Sequence, residues 1–192
     1  MKHWIAFGWI FIIIVFFIVA YSISNDPYSQ ILRDSEFFGQ DNASITIVEF
    51  GDYLDPVSRE SENSMKRLRM DYNIKFIYKH FVHSNQSMIA AMGSKCAQNQ
   101  NLFEEMHNKL FAFDGEFTLN ATRSMADEIN GLKIGEFNQC MNVELFKLNI
   151  EKDTSLGKRL EVSYLPVVFI NEVRFEGINN YDIYSDFVEK EL

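Results

Sequence analysis

Apolar and polar positions follow three rhythms along this chain, and each predicts a different element. Over residues 4–21 no charge interrupts a run of about 18 apolar, aromatic or small positions. As a helix such a run spans roughly 27 Å, the thickness of a bilayer's hydrocarbon core. Trp4 and Tyr21 stand at its ends, where interfacial aromatics are favoured; Lys2 precedes it and Asp26 is the first charge after it. The pattern predicts a transmembrane anchor over 1–22, with the N-terminus cytoplasmic and the rest of the chain outside. A cleaved signal peptide is the competing reading, but its apolar region is usually shorter, and Ala20-Tyr21-Ser22 makes a poor cleavage site. Residues 23–40, with Asn25-Asp26-Pro27, read as a tether.

Beyond the tether the rhythm shifts to a buried strand over 44–51, rich in β-branched and apolar residues. Asp55-Pro56 then predicts a helix start. Asp is a preferred N-cap, and Pro at the first helical position gives up an N–H that has no partner there. Met65, Leu68 and Met70 carry that helix to about residues 71–73, and 74–82 is a second strand. From 84 to about 153 the period is helical, with Met88, Ala91, Met92 and Cys96 on one face and Leu102, Phe103, Met106, Leu110 and Phe111 on another. A strand over 162–170 is interrupted by Pro166, which marks an edge, a bend or a cis bond. A short strand over 173–175 follows, and 181–192 closes the chain as a helix with Ile183, Phe187 and Val188 inward. The order is β-α-β, a helical block, then β-β-α, an α/β domain over 41–192.

Composition narrows the function. At 192 residues and 47% hydrophobic content, the chain can bury a core without a metal or disulfide staple. Its net charge of -9, from 27 acidic and 18 basic side chains, excludes a reader of nucleic-acid phosphates and disfavours adhesion of the domain to an anionic bilayer. Two cysteines, Cys96 and Cys140, are too few for a disulfide-rich scaffold. His80, His83 and His107 lack the cysteine or carboxylate spacing of a metal site, and no nucleotide-binding or hydrolase motif is present, so no metal or cofactor is expected. Asn42, Asn85 and Asn120 head formal glycosylation acceptors.

Four segments, in order, resemble the DsbA-like thioredoxin family. Glu49-Phe50-Gly51-Asp52-Tyr53-Leu54-Asp55-Pro56-Val57-Ser58 is similar to that family's E-F-x-D-Y-x-C-P-x-C, apart from both cysteines. Tyr78-Lys79-His80-Phe81, the 100–111 helix and the 162–171 strand resemble its Y-R-H-F, Q-G-x-F-W-x-M-H-x-x-L-F and cis-proline segments. The resemblance implies a thioredoxin-like fold with an inserted helical block at 84–153. It also implies disulfide exchange at the corner after the first strand, where a helix N-terminus stabilises a thiolate.

The sulfur is absent from that corner. Asp55 and Ser58 occupy the cysteine positions around Pro56, and neither side chain can form a disulfide. Asp55 and Ser58 also read as a plain N-cap and first-turn residue. Glu49 stands where the family keeps an acid beneath its thiols; without thiols it reads as a partly buried acid with a hydrogen-bond partner. Before Pro166, which stands at the family's cis-proline, Tyr164 and Leu165 make the loop bulkier and more apolar than the family's, so Tyr164, Leu165 and Pro166 read as a contact surface suited to a fixed partner. Relatives carry a structural disulfide in the helical block, which implies a Cys96–Cys140 pair; two buried thiols are the alternative. The expected function is a membrane-anchored, extracytoplasmic module, redox-inactive at the corner. It would act as a chaperone-like binder or an accessory subunit of a membrane or envelope assembly. The alternative is a thiol–disulfide oxidoreductase working through Cys96 and Cys140, or a helper of a redox partner; a structural spacer is the third reading.

Overall fold

The computed structural model describes residues 12–17, 27–32 and 37–192. The backbone divides into two units, Met1–Ser35 and Glu36–Leu192. In the first, residues 12–17 are helical with exposed side chains, and Pro27–Leu32 forms a short helix. Apart from 12–17, the predicted anchor over 1–22 lies outside the described residues. Among the described residues no helix is long and apolar enough to cross a membrane.

The second unit is built on one five-stranded sheet, ordered β1-β3-β2-β4-β5. The strands are β1 (Phe38–Gly39), β2 (Ile45–Gly51), β3 (Ile74–His80), β4 (Val167–Ile170) and β5 (Val173–Glu176). β2 and β3 run parallel, with Glu49 opposite Tyr78. A parallel pair needs a crossover, and helix α1 (Pro56–Asp71) supplies it. β4 lies antiparallel on the other edge of β2, with Phe50 opposite Val167. β1 falls in the stretch read as a tether and pairs antiparallel with β3, Phe38 opposite Phe76. Two residues are too few to show a strand's period in sequence.

The helical block comprises α2 (Asn85–Gln98), α3 (Phe103–Ala112), α4 (Leu119–Asp127), α5 (Ile134–Asn142) and α6 (Lys147–Arg159), and α7 (Tyr181–Glu191) closes the chain. Ile45 and Ile47 of β2 share a core with Met65 and Leu68 of α1 and with Tyr184 and Val188 of α7. Phe50 turns to the opposite face, where α6 passes so close that a side chain at Gly157 would stand 2.5 Å from Phe81 and 3.2 Å from Phe50. A buried ion pair, Lys79 to Asp153 at 2.9 Å, fixes α6 to β3 on that face.

Several boundaries differ from the sequence expectation. The strand predicted over 162–170 begins only at Val167, because the Leu165–Pro166 bond is cis and Pro has no N–H for the ladder. α6 runs six residues past the predicted 153, to Arg159. Met70 is exposed, since α1 buries Ser58, Ser61, Glu62, Met65 and Leu68 and position 70 lies well around the helix from that stripe. Ile183 is likewise exposed, and Tyr184 fills the inward position on α7.

Cys96 and Cys140 are joined in a disulfide between α2 and α5, both residues buried. The bond closes a sequence separation of 44 residues, so in the chain-entropy model it disfavours the unfolded state by about 4 kcal/mol. The Cys96→Ser, Cys140→Ser double variant is expected to lose about that much stability in urea unfolding. A loss below about 1 kcal/mol would show that the clamp adds little to the fold.

Candidate functional site: the corner at Asp55

The C-terminal end of β2 sets the site. Phe50 is paired with Val167, so the next residues on the two strands, Gly51 and cis-Pro166, meet at the same end of the sheet. Gly51 has no Cβ, and one placed there would come within 2.5 Å of the Tyr78 hydroxyl. The backbone then turns through Asp52, whose carboxylate accepts from Leu54 N at 3.0 Å and from the Ser87 hydroxyl at 2.7 Å. The exposed His83 side chain lies 3.5 Å from the same carboxylate.

Asp55 follows in extended conformation and caps α1, accepting from Ser58 N at 2.6 Å, with Pro56 at the helix start. Ser58 is buried, and its hydroxyl accepts from Asp52 N at 3.4 Å. The first turn of α1 is thereby closed by the corner's own oxygens. In a dithiol corner the amide that Asp55 engages would face a thiolate.

Opposite the corner, Tyr164 is 77% exposed, whereas Leu165 and Pro166 are buried. The loop carrying them is fastened from β5. Arg174 donates to the carbonyls of Leu160 at 2.6 Å and Glu161 at 3.1 Å, and Gly177 N donates to Pro166 O at 2.9 Å.

Beneath α1 the structure corrects the expectation for Glu49. It is fully buried, and neither carboxylate oxygen has a hydrogen-bond partner. Burial, reinforced by the charge of Glu62 and only partly offset by Arg69, raises its pKa well above the ordinary carboxyl value. Glu62 shows the opposite outcome. Burial opposes its ionisation, but hydrogen bonds from His107 and Arg69, with the charge of Arg69, outweigh that and hold its pKa at about 2. Arg69 bonds it at 2.6 Å, and His107 Nε2 donates to it at 3.2 Å. The Tyr53 hydroxyl donates to His107 Nδ1 at 2.9 Å, which fixes the tautomer satisfying both contacts. Burial lowers the pKa of His107 despite Glu62, so the ring is neutral and Arg69 carries the charge that balances Glu62.

The three histidines have separate hydrogen-bond or ion-pair partners. His80 is buried and neutral beside the Ser94 hydroxyl at 3.2 Å, His107 serves Glu62 and Tyr53, and His83 serves Asp52. Among the described residues no group of three His, Cys, Asp or Glu side chains is placed to hold a metal. Cys96 and Cys140 lie in the helical block, paired and buried, so the corner presents no sulfur. Sequence reading missed Asp52, Glu62 and Arg69. The spacing of Glu62 and Arg69, seven residues apart on one helical face, was the available signal.

The family model for thioredoxin matches residues 33–190. This chain belongs to the thioredoxin family. Within it the chain is DsbA-like. It is 24% identical, over 84% of its length and 78% of the relative's, to disulfide bond formation protein D of Bacillus subtilis. The thiol-disulfide exchange protein alpha-DsbA2 of Wolbachia pipientis shares the fold at a TM-score of 0.77 and 22% identity, covering 84% of this chain and 90% of that one. A third likeness is of another kind. The Na(+)/H(+) antiporter NhaA 1 of Salinispora arenicola is 28% identical over 77% of this chain, which spans only 23% of that protein.

The contrast between the two buried acids is measurable. The folded state holds the Glu49 proton more tightly than the unfolded chain does. Glu49 therefore costs the fold nothing below its ordinary value of 4.5, and progressively more as pH rises toward its folded pKa. Glu49→Gln is expected to remove that slope, leaving the variant the more stable of the two at mildly alkaline pH relative to their difference at pH 4.5, read from urea unfolding at a series of pH values. Glu62 has the opposite sign: its contribution is present above 4.5 and lost as pH falls through about 2. Glu62→Ala, which leaves Arg69 buried without its partner, is expected to cost about 3–5 kcal/mol at neutral pH.

Proposed function

We propose that this protein is a membrane-anchored, extracytoplasmic binding module that uses the disulfide-exchange corner of its family as a protein contact surface. One observation carries the reading. The helix start that would face a thiolate is occupied by the Asp55–Ser58 cap, while the flanking loop keeps the cis proline, Pro166, behind an exposed Tyr164. The corner has lost the atoms that exchange bonds and kept those that shape a contact.

Supporting observations come from elsewhere in the chain. A disulfide in the helical block is at home in an oxidising, extracytoplasmic compartment. The uncharged run over 4–21 is long enough for a single-pass anchor with a cytoplasmic N-terminus. A thioredoxin-like segment also matches part of a protein named as an antiporter, which supports work beside a larger membrane protein. The expected partner is a protein of a membrane or envelope assembly; the acidic surface disfavours nucleic acid. The alternative, an oxidoreductase acting through Cys96 and Cys140, would require a thiolate to reach sulfurs in residues only 2% and 6% exposed.

Two experiments test the proposal. A photo-crosslinkable residue in place of Tyr164, in the full chain in its native membrane, is expected to capture one protein reproducibly. Asp55→Arg should abolish that capture without altering the fold's circular dichroism. In insulin reduction the full chain is expected to show no turnover; turnover removed by Cys96→Ala would overturn the binding reading in favour of the oxidoreductase.

A further inference from the structure

Helix α6 ends in a turn that calls for glycine and holds a glutamate. Glu161 N donates to Lys158 O at 3.1 Å and Val162 N donates to Gly157 O at 3.0 Å, the paired bonds of a Schellman cap. In that cap the residue after the C-cap, here Leu160, takes the left-handed region, which glycine enters freely. Glu161 occupies it at φ 57°. A side chain in that region meets its own backbone, so the conformation persists only where the surroundings impose it.

Strand β5 imposes it. The half-buried Arg174 donates from Nη1 to Leu160 O at 2.6 Å and from Nη2 to Glu161 O at 3.1 Å, two carbonyls that the cap itself does not satisfy. The Ser163 hydroxyl also donates to Glu161 O, at 3.3 Å. Glu176 holds the guanidinium at 2.8 Å, and a positive charge is favourable at a helix C-terminus. The chain leaves α6 through this turn and rejoins the sheet where Gly177 N donates to Pro166 O. In between, among the described residues, no backbone N–H of Ser163, Tyr164 or Leu165 is hydrogen-bonded. The course of the loop is therefore set at its two ends, and β5 and the residue after it hold both.

We propose that Arg174 is the positioning residue of the contact surface: by clasping Glu161 in the left-handed turn it fixes the direction in which the loop leaves α6, and with it the place of Tyr164. The inference rests on the reading of Tyr164 as part of that surface. Because β5 is an edge strand and Arg174 fills no part of the hydrophobic core, the clasp can be removed without emptying the core.

The test pairs nuclear magnetic resonance on the full chain in neutral detergent with the photo-crosslinker at position 164 in the native membrane. Arg174→Gln is expected to speed exchange of the Glu161 and Val162 amides at least about tenfold. Backbone order parameters of Ser163, Tyr164 and Leu165 should fall below about 0.6, and capture by the crosslinker should drop. Exchange at Val48 and Ile77, in the central strands, should stay as it was. Glu161→Gly suits the turn, so adding it to Arg174→Gln should lessen the acceleration, the clasp then having no strain to hold. Unchanged exchange at Glu161 and Val162, equal acceleration at Val48 and Ile77, the same acceleration with Glu161→Gly, or undiminished capture from a loosened loop would each overturn the proposal. Absence of capture by the wild-type chain would overturn the contact reading and the positioning role with it; failure of the clasp alone leaves wild-type capture intact.

Discussion

A strand paired along both edges and covered on both faces has no freedom to move, and β2 is that strand. It holds β3 on one side and β4 on the other, α1 and α7 lie over one face, and α6 presses Gly157 against Phe50 on the other. Every part of the corner hangs from its C-terminal end: the Asp52 turn, the α1 start and, across one strand pair, cis-Pro166. The corner is rigid because the strand beneath it is rigid, whatever chemistry its side chains carry.

The face beneath α1 shows how differently one environment treats two carboxylates. Glu62 is buried with a guanidinium and an imidazole in contact, so its charge is retained. Glu49 has no such partner, and the proton stays on. The Tyr53–His107–Glu62–Arg69 chain ties the turn before the corner to α1 and α3, while Glu49 contributes nothing comparable to the fold. An acid kept at such a cost is not explained by stability, and the corner residues Asp55 and Ser58 carry no thiol for it to serve.

Much of this was legible in the sequence, for physical reasons that differ from element to element. The α1 start was read correctly in position because Asp-Pro is a local signal that requires no knowledge of packing. Pro166 announced an interruption because proline removes a donor wherever it stands. β1 was invisible, since a two-residue strand exists only through its partner Phe76. Glu49 was misjudged because a hydrogen-bond partner is a tertiary fact. Its place on an alternating strand gave the face on which it lies, but not that the face would leave its oxygens unpaired. Ile183 was placed inward, and the helical phase set by its neighbours turned it out.

The oxygen cap has a consequence for how the corner responds to its surroundings. A dithiol corner has two states, and a partner can distinguish the oxidised surface from the reduced one. Asp55 and Ser58 have no such pair of states. The oxygens of Asp55 and Ser58 are the same in an oxidising and in a reducing medium, so a partner that touched them would receive no report of the electron balance around it.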